Sequence, residues 1–253
     1  MSNFLYKDSP LIVSMCQGDN SEEIISLIRN SVAHGADAVG VQLCRLKKEF
    51  KSDDNIKNIF SCSSGKPYYI TNYRYGINEG KTDDELAKDI LHYATLGGDV
   101  YDVMGDIFDR SENEITYNAQ AIKKQKQLID NLHKMGKQVL MSSHTFKFMD
   151  CDEVIKIAKA QESRGADVVK IVAASNSDYE CLENLKTSLK LKEELNVPFL
   201  FLSVGEYSRV HRLIGTHYGS CMWLCVDRYD AFATPAQPLI ETIKNLRDNI
   251  ILS

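Results

Sequence analysis

The sequence predicts an α/β protein folded as a single (β/α)8 barrel over residues 1–253. Short apolar, β-branched runs alternate with helical patterns eight times, which indicates a parallel sheet. Eight strand–helix units in about 250 residues match the size of such a barrel. A repeated phrase also marks the helix-to-strand joints: Gly35-Ala36-Asp37, Gly98-Asp99 and Gly165-Ala166-Asp167. The competing architecture is a doubly wound open sheet, but neither a G-x-G-x-x-G motif nor a P-loop follows the first strand.

The elements follow in order. Residues 11–15 form a first strand, and Ser21-Glu22-Glu23 opens a helix with an N-cap serine and early carboxylates. Residues 36–43 are strand two, followed by a charged loop and a short helix over 56–62. Strand three covers 68–74, and Thr82-Asp83-Asp84-Glu85 caps a helix reaching residue 96. Strand four is 99–104, and a long helix over 117–135 stops at Gly136. Strand five is 138–144, helix five 152–164 and strand six 165–174. Helix six covers 179–195; strand seven, 197–203, carries Pro198 at its start, where proline is tolerated. A shorter helix over 208–218, strand eight over 221–226 and a helix over 238–252 complete the pattern.

Composition narrows the function. The chain is 43% hydrophobic and 26% charged, enough for a packed core. A net charge of -5 leaves no electrostatic footprint for nucleic acid. Seven cysteines, an odd number without a CxxC pair, point to a reducing compartment and no structural metal. The first ten residues lack an apolar signal core and no run approaches a membrane span, so a cytoplasmic location without membrane association is expected.

The candidate chemistry centres on strand six, where Lys170 interrupts an apolar run. Alternation puts Val168, Lys170 and Val172 on one face. A buried ammonium lowers its pKa, and such an amine is a nucleophile for imine chemistry with a ketone or aldehyde. The bland alternative is a lysine that snorkels to water or pairs with a carboxylate. The working face of this fold lies at the C-terminal ends of the strands. Residues expected there are Gln42, Arg74, Asn78, Glu79, Ser142, His144, Arg209, His211, Arg212, Asp227, Arg228, Tyr229, Thr234 and Gln237. Met104, apolar at the end of strand four, marks that sector as non-catalytic. His144 and Lys170 come from neighbouring strands, and a histidine there moves protons around a lysine-bound substrate. Alone, His144 reads as a strand-end histidine bonded to backbone. His34, His92 and His133 belong to surface helices, and Arg74 and Arg212 are either solvated cations or carboxylate anchors.

These residues resemble the type I 3-dehydroquinate dehydratases, Schiff-base enzymes of the shikimate pathway. Met141-Ser142-Ser143-His144-Thr145-Phe146 is similar to the family's strand-five segment with its histidine, and Ala166 to Ile171 to the segment with the imine-forming lysine. Tyr73-Arg74 with Asn78-Glu79-Gly80 is similar to the family's Arg loop and "EGG" element. Residues 203–220 parallel the strand-seven loop with its substrate-binding arginine, and Ala233 to Gln237 the "SAPGQ" loop. The resemblance implies dehydration of 3-dehydroquinate with Lys170, His144 and Glu79 catalytic, Glu79 orienting His144. It implies that Arg74, Arg212, Gln237, Gln42 and Thr234 bind the cyclic keto acid. It further implies no cofactor beyond the covalent imine, and a homodimer. The chain departs from the family where a Glu-x-Arg pair usually ends strand two: Gly40 and Gln42 stand there, with Arg45 beyond. The assisting glutamate falls on Asn78 without a gap and on Glu79 with one insertion; Met104 replaces a common strand-four acid, and Ala233 the loop serine. Two rivals remain: an aldolase-like lysine-imine lyase, and a silent ligand-binding barrel. Asp227-Arg228-Tyr229-Asp230 after strand eight, in place of a glycine-rich loop, argues against a phosphate substrate.

Overall fold

In the computed structural model, which describes residues 9–249, strands and helices alternate along the chain. They are β1 (Leu11–Cys16), α1 (Ser21–Ala33), β2 (Ala38–Gln42), α2 (Asp53–Ser61), β3 (Tyr68–Thr71), α3 (Asp83–Leu96), β4 (Val100–Met104) and α4 (Ala119–Lys134). The second half holds β5 (Gln138–His144), α5 (Cys151–Ser163), β6 (Val168–Ala174), α6 (Asp178–Glu194), β7 (Phe199–Val204), α7 (Ser208–Ile214), β8 (Met222–Cys225) and α8 (Ile240–Asn249). Every ladder is parallel, in the order β7-β6-β5-β4-β3-β2-β1-β8. At the N-terminal rim Phe199 pairs with Ser220, and the Cys221 N–H donates to the Phe199 carbonyl at 2.8 Å, bringing β7 against β8. The expected (β/α)8 barrel is therefore found, and the open sheet is not.

The repeated glycine–aspartate joints have a physical reason. Each aspartate bonds one residue of the preceding strand twice. Asp37 N–H donates to the Ile12 carbonyl at 2.8 Å while its carboxylate accepts the Ile12 N–H at 3.0 Å. Asp99 makes the same pair with Tyr68, at 3.1 and 2.8 Å, and Asp167 with Val139, at 2.8 and 2.7 Å. The carboxylate serves a strand-start N–H that the ladder leaves unpaired. Gly35, Gly98 and Gly165 carry φ of +98°, +69° and +97°, the left-handed bend that turns each helix into such a joint.

Alternation divides the core into two. Leu11, Val13, Tyr69, Val100, Leu140, Val168, Val172, Leu200 and Leu224 pack together inside the barrel. The opposite strand faces, such as Val39, Val41, Val103, Val139 and Met141, pack outward under the helices. Some boundaries differ from expectation. The cap of α1 is Asn20, whose side chain accepts the Glu23 N–H; Ser21 is already helical. β3 stops at Thr71, because Asn78 donates to Asn72 Oδ1 and to the Tyr73 carbonyl, both at 2.8 Å, and draws residues 72–74 into the loop. After α7 the chain continues as i→i+3 turns through Gly219, so the helix ends four residues early. The expected end of the last helix, Leu252, lies outside the described residues. Among these, no helix is long and apolar enough to cross a membrane.

Candidate active site

Lys170 lies inside the barrel, 4% exposed, with Ser142 of β5 and Leu200 of β7 as its ladder neighbours. Its Nζ stands 2.9 Å from the Tyr73 hydroxyl, 3.1 Å from that of Tyr69 and 3.4 Å from Asp102 Oδ2. Both phenols donate to Asp102 Oδ2, Tyr73 at 2.6 Å, and Ser142 donates to Oδ1. The carboxylate is thus solvated by three hydroxyls. Burial lowers the Lys170 pKa, outweighing the Asp102 charge that pulls the other way; the Arg212 charge adds to the lowering. Burial, and then Asp102, push both phenols well above the ordinary tyrosine value, so they stay protonated.

His144 ends β5 with its ring edge-on to Tyr73, centroids 5.3 Å apart. Its Nδ1 lies 2.7 Å from Glu114 Oε2, which also accepts the His144 backbone N–H at 2.9 Å. This carboxylate comes from the loop between β4 and α4. Glu114 sits at φ +46°, uncommon for a side chain, and its carbonyl accepts from Ser143 Oγ. Arg164 holds both ends of the loop by donating to the carbonyls of Gly105 and Thr116. The expected orienting residue, Glu79, is instead exposed in the loop after β3. Asn78 is buried but spends its amide on Asn72 and Tyr73. The carboxylate on His144 is therefore that of Glu114.

The expected binding residues divide. Arg212 is 6% exposed; its Nε donates to the Ser203 carbonyl at 2.6 Å, and no carboxylate pairs with it among the described residues. Burial pushes its pKa down to about 10, so it stays charged at neutrality. Gln237 is buried with Oε1 unpartnered. Gln42 is buried and donates to the Tyr75 hydroxyl. Thr234 is exposed at the rim of an open cleft of about 550 Å³, with Phe146, Asn176, Ser208 and Arg209. Arg74 is not a free anion site. Its guanidinium is held by Asp83 at 2.8 and 2.9 Å and Asp106 at 2.6 Å, tying the loop after β3 to α3 and the Glu114 loop. His34, His92 and His133 pair on the surface with Asp227, Asp53 and Asp167. His211 lies buried between Ser203 and Ser188 and takes no place in the site.

The strand-four sector is not silent, contrary to the reading from Met104. Asp102, two residues earlier, faces the lysine, and Tyr69 and Tyr73 join it. The signal was available: Asp102 interrupts an apolar strand just as Lys170 does. Glu114 had no such signal, since it lies on an acidic loop whose path only the fold determines.

The family model for type I 3-dehydroquinase matches residues 12–251. The chain belongs to this family. It is 29% identical over 161 residues to the 3-dehydroquinate dehydratase of Lactiplantibacillus plantarum, covering 63% of this chain and 61% of that one. It is 28% identical over 121 residues to that of Alkaliphilus oremlandii, covering 47% of each. The matched stretches thus span between about half and three-fifths of these relatives' lengths. The fold superposes on the 3-dehydroquinate dehydratase of Geobacillus kaustophilus with a TM-score of 0.79 at 15% identity, over 95% of this chain and 91% of that one. For the type I enzyme of Clostridium difficile, solved with covalently modified comenic acid, the TM-score is 0.78 at 18% identity, over 96% and 92%. At β2, where the resemblance leads to the expectation of a Glu-x-Arg pair, Met15 packs against Gly40. A Cβ at Gly40 would collide with Met15 Sδ, so a side chain there requires the Met15 side chain to move aside.

Proposed function

We propose that this chain is a lyase that dehydrates 3-dehydroquinate to 3-dehydroshikimate through an imine on Lys170. The observation that carries the reading is a buried lysine of lowered pKa within the barrel, beside a histidine held by a carboxylate. Lys170, as free amine, attacks the ring ketone, and loss of water gives an iminium. That cation acidifies the adjacent C–H, because the carbanion becomes an enamine. His144, its Nδ1–H donated to Glu114, removes this proton at Nε2 and delivers one to the departing hydroxyl. Water is expelled, and hydrolysis of the imine releases product.

Arg212 supplies an unpaired buried cation for the substrate carboxylate, and Gln237 Oε1 an unpaired acceptor for a hydroxyl. Gln42 and Thr234 supply further polar contacts in this reading; Arg74, paired with Asp83 and Asp106, makes none. The proposal includes a cytoplasmic homodimer, which size-exclusion chromatography tests. A second reading, a related keto acid with fewer hydroxyls, is favoured by one observation: Met15 Sδ occupies the space beside Gly40 where a β2 side chain would begin.

Borohydride added with 3-dehydroquinate should leave a reduced adduct on Lys170 visible by mass spectrometry. Lys170→Ala should abolish adduct and turnover, whereas His144→Ala should keep the adduct and lose about 10²–10⁴-fold in kcat. Absence of an adduct from the wild-type protein would remove 3-dehydroquinate as substrate and leave the second reading.

A further inference from the structure

Making the imine requires proton movement at the nitrogen, where His144 has no contact with Nζ among the described hydrogen bonds. In balanced form, an ammonium and a ketone give an iminium and water. The C–N bond forms, the C–O bond breaks, and two protons leave nitrogen for the departing oxygen. In the carbinolamine both heteroatoms share one carbon, so a hydroxyl touching Nζ is within reach of that oxygen.

We propose that Tyr73, backed by Asp102, is the acid–base catalyst of imine formation and imine hydrolysis in this chain, with Tyr69 a positioning residue. The Tyr73 oxygen lies 2.9 Å from Lys170 Nζ and 2.6 Å from Asp102 Oδ2, a continuous line from amine to carboxylate. Both phenols make these contacts, but their depth differs. Tyr73 lies beyond the end of β3, 9% exposed and against His144, whereas Tyr69 lies four residues earlier, within the strand, at 1%. Tyr73 is therefore the hydroxyl that meets the substrate oxygen. A neutral amine donates its two N–H groups to the two phenols, which leaves the lone pair free for the carbonyl carbon.

The Lys170 ammonium passes one proton through the Tyr73 hydroxyl to the Asp102 carboxylate, and the amine bonds to the ketone. The carbonyl oxygen takes a proton from Tyr73, which is refilled from Asp102. The second nitrogen proton follows the same route, and the oxygen leaves as water. Tyrosine and aspartate end as they began. Because both phenols stay protonated, Tyr73 relays the proton in concert and does not store charge as phenolate. This division of labour leaves His144 to the carbon chemistry, and it rests on the imine reading of Lys170.

The test is rapid-quench borohydride trapping with 3-dehydroquinate. Tyr73→Phe should slow adduct formation about 10²-fold, with KM changed far less. His144→Ala should form adduct near the wild-type rate yet fail to turn over, and Tyr69→Phe should slow trapping less than Tyr73→Phe. Adduct formation by Tyr73→Phe at the wild-type rate, or equal losses at both tyrosines, would overturn the proposal. If the wild-type protein gives no adduct with 3-dehydroquinate, the substrate reading fails by itself. Formaldehyde with cyanoborohydride then tests the relay directly: methylation of Lys170, relative to surface lysines, should slow in Tyr73→Phe, and an unchanged ratio overturns it. Should Tyr73→Phe fail to fold, trapping by the wild-type protein in heavy water decides, a slowed rate supporting the relay and an unchanged one refuting it.

Discussion

Replacing Arg212 by alanine removes a cation that has no carboxylate partner among the described residues. Its Nε–H is committed to the Ser203 carbonyl at 2.6 Å, which leaves the terminal N–H groups for a substrate carboxylate. Two charge-assisted bonds formed there contribute about 3 kcal/mol net, at the low end of about 1.5 kcal/mol each. Because the carboxylate keeps its charge throughout the dehydration, most of this binding is common to ground and transition states. The expected result is a KM raised about 150-fold with kcat little changed, at about 1.4 kcal/mol per decade. The substitution has a second consequence. The Arg212 charge is one of the influences lowering the Lys170 pKa, behind burial, so its loss moves that pKa upward. Borohydride trapping should then need a higher pH than in the wild-type protein. Steady-state kinetics with 3-dehydroquinate, trapping across pH and a thermal melt are the assays. An unchanged KM in a folded variant would mean that the carboxylate binds elsewhere, and the assignment of Arg212 would fall.

Glu114→Gln should keep the Lys170 adduct but lower kcat about 10²-fold, because the amide no longer favours the Nδ1–H tautomer of His144; ring ¹⁵N shifts report the tautomer directly. Glu79→Ala, at an exposed site, should leave stability within about 0.5 kcal/mol of wild type by denaturant titration, with turnover unchanged. Arg74→Ala strands the buried Asp106 carboxylate and should cost about 3 kcal/mol in urea unfolding, a loss of stability before any loss of substrate affinity. His211, lowered by burial from 6.5 to about 3, binds its proton in the unfolded chain before it does in the folded one. Its contribution therefore falls as pH drops below 6.5, by about 1.4 kcal/mol per pH unit down to about 3; His211→Gln should flatten that part of the stability–pH curve.

The barrel was legible because its determinants are local. Alternating apolar runs, caps such as Thr82 with Glu85, and the glycine–aspartate joints each act over a few residues, and all agree on one architecture. Lys170 and His144 were legible for a related reason: strand parity and the C-terminal rim are fixed once the strands are assigned. Asp102 was legible by the same parity, although the apolar Met104 at the strand's end carries no sign of it. What the tertiary structure alone decided is which charges meet. Arg74 and Arg212 look alike as arginines that follow barrel strands, but Asp83 and Asp106 lie within reach of only one of them. Glu79 and Glu114 are both acids on loops at the mouth. The left-handed turn at Glu114, with Arg164 holding the loop ends, aims that one at His144. Such pairings join residues from nine to about a hundred positions apart, such as Arg74 with Asp83, Glu114 with His144 and Tyr69 with Lys170. Their Coulomb and hydrogen-bond energies fall off over a few ångströms in space and are indifferent to distance along the chain.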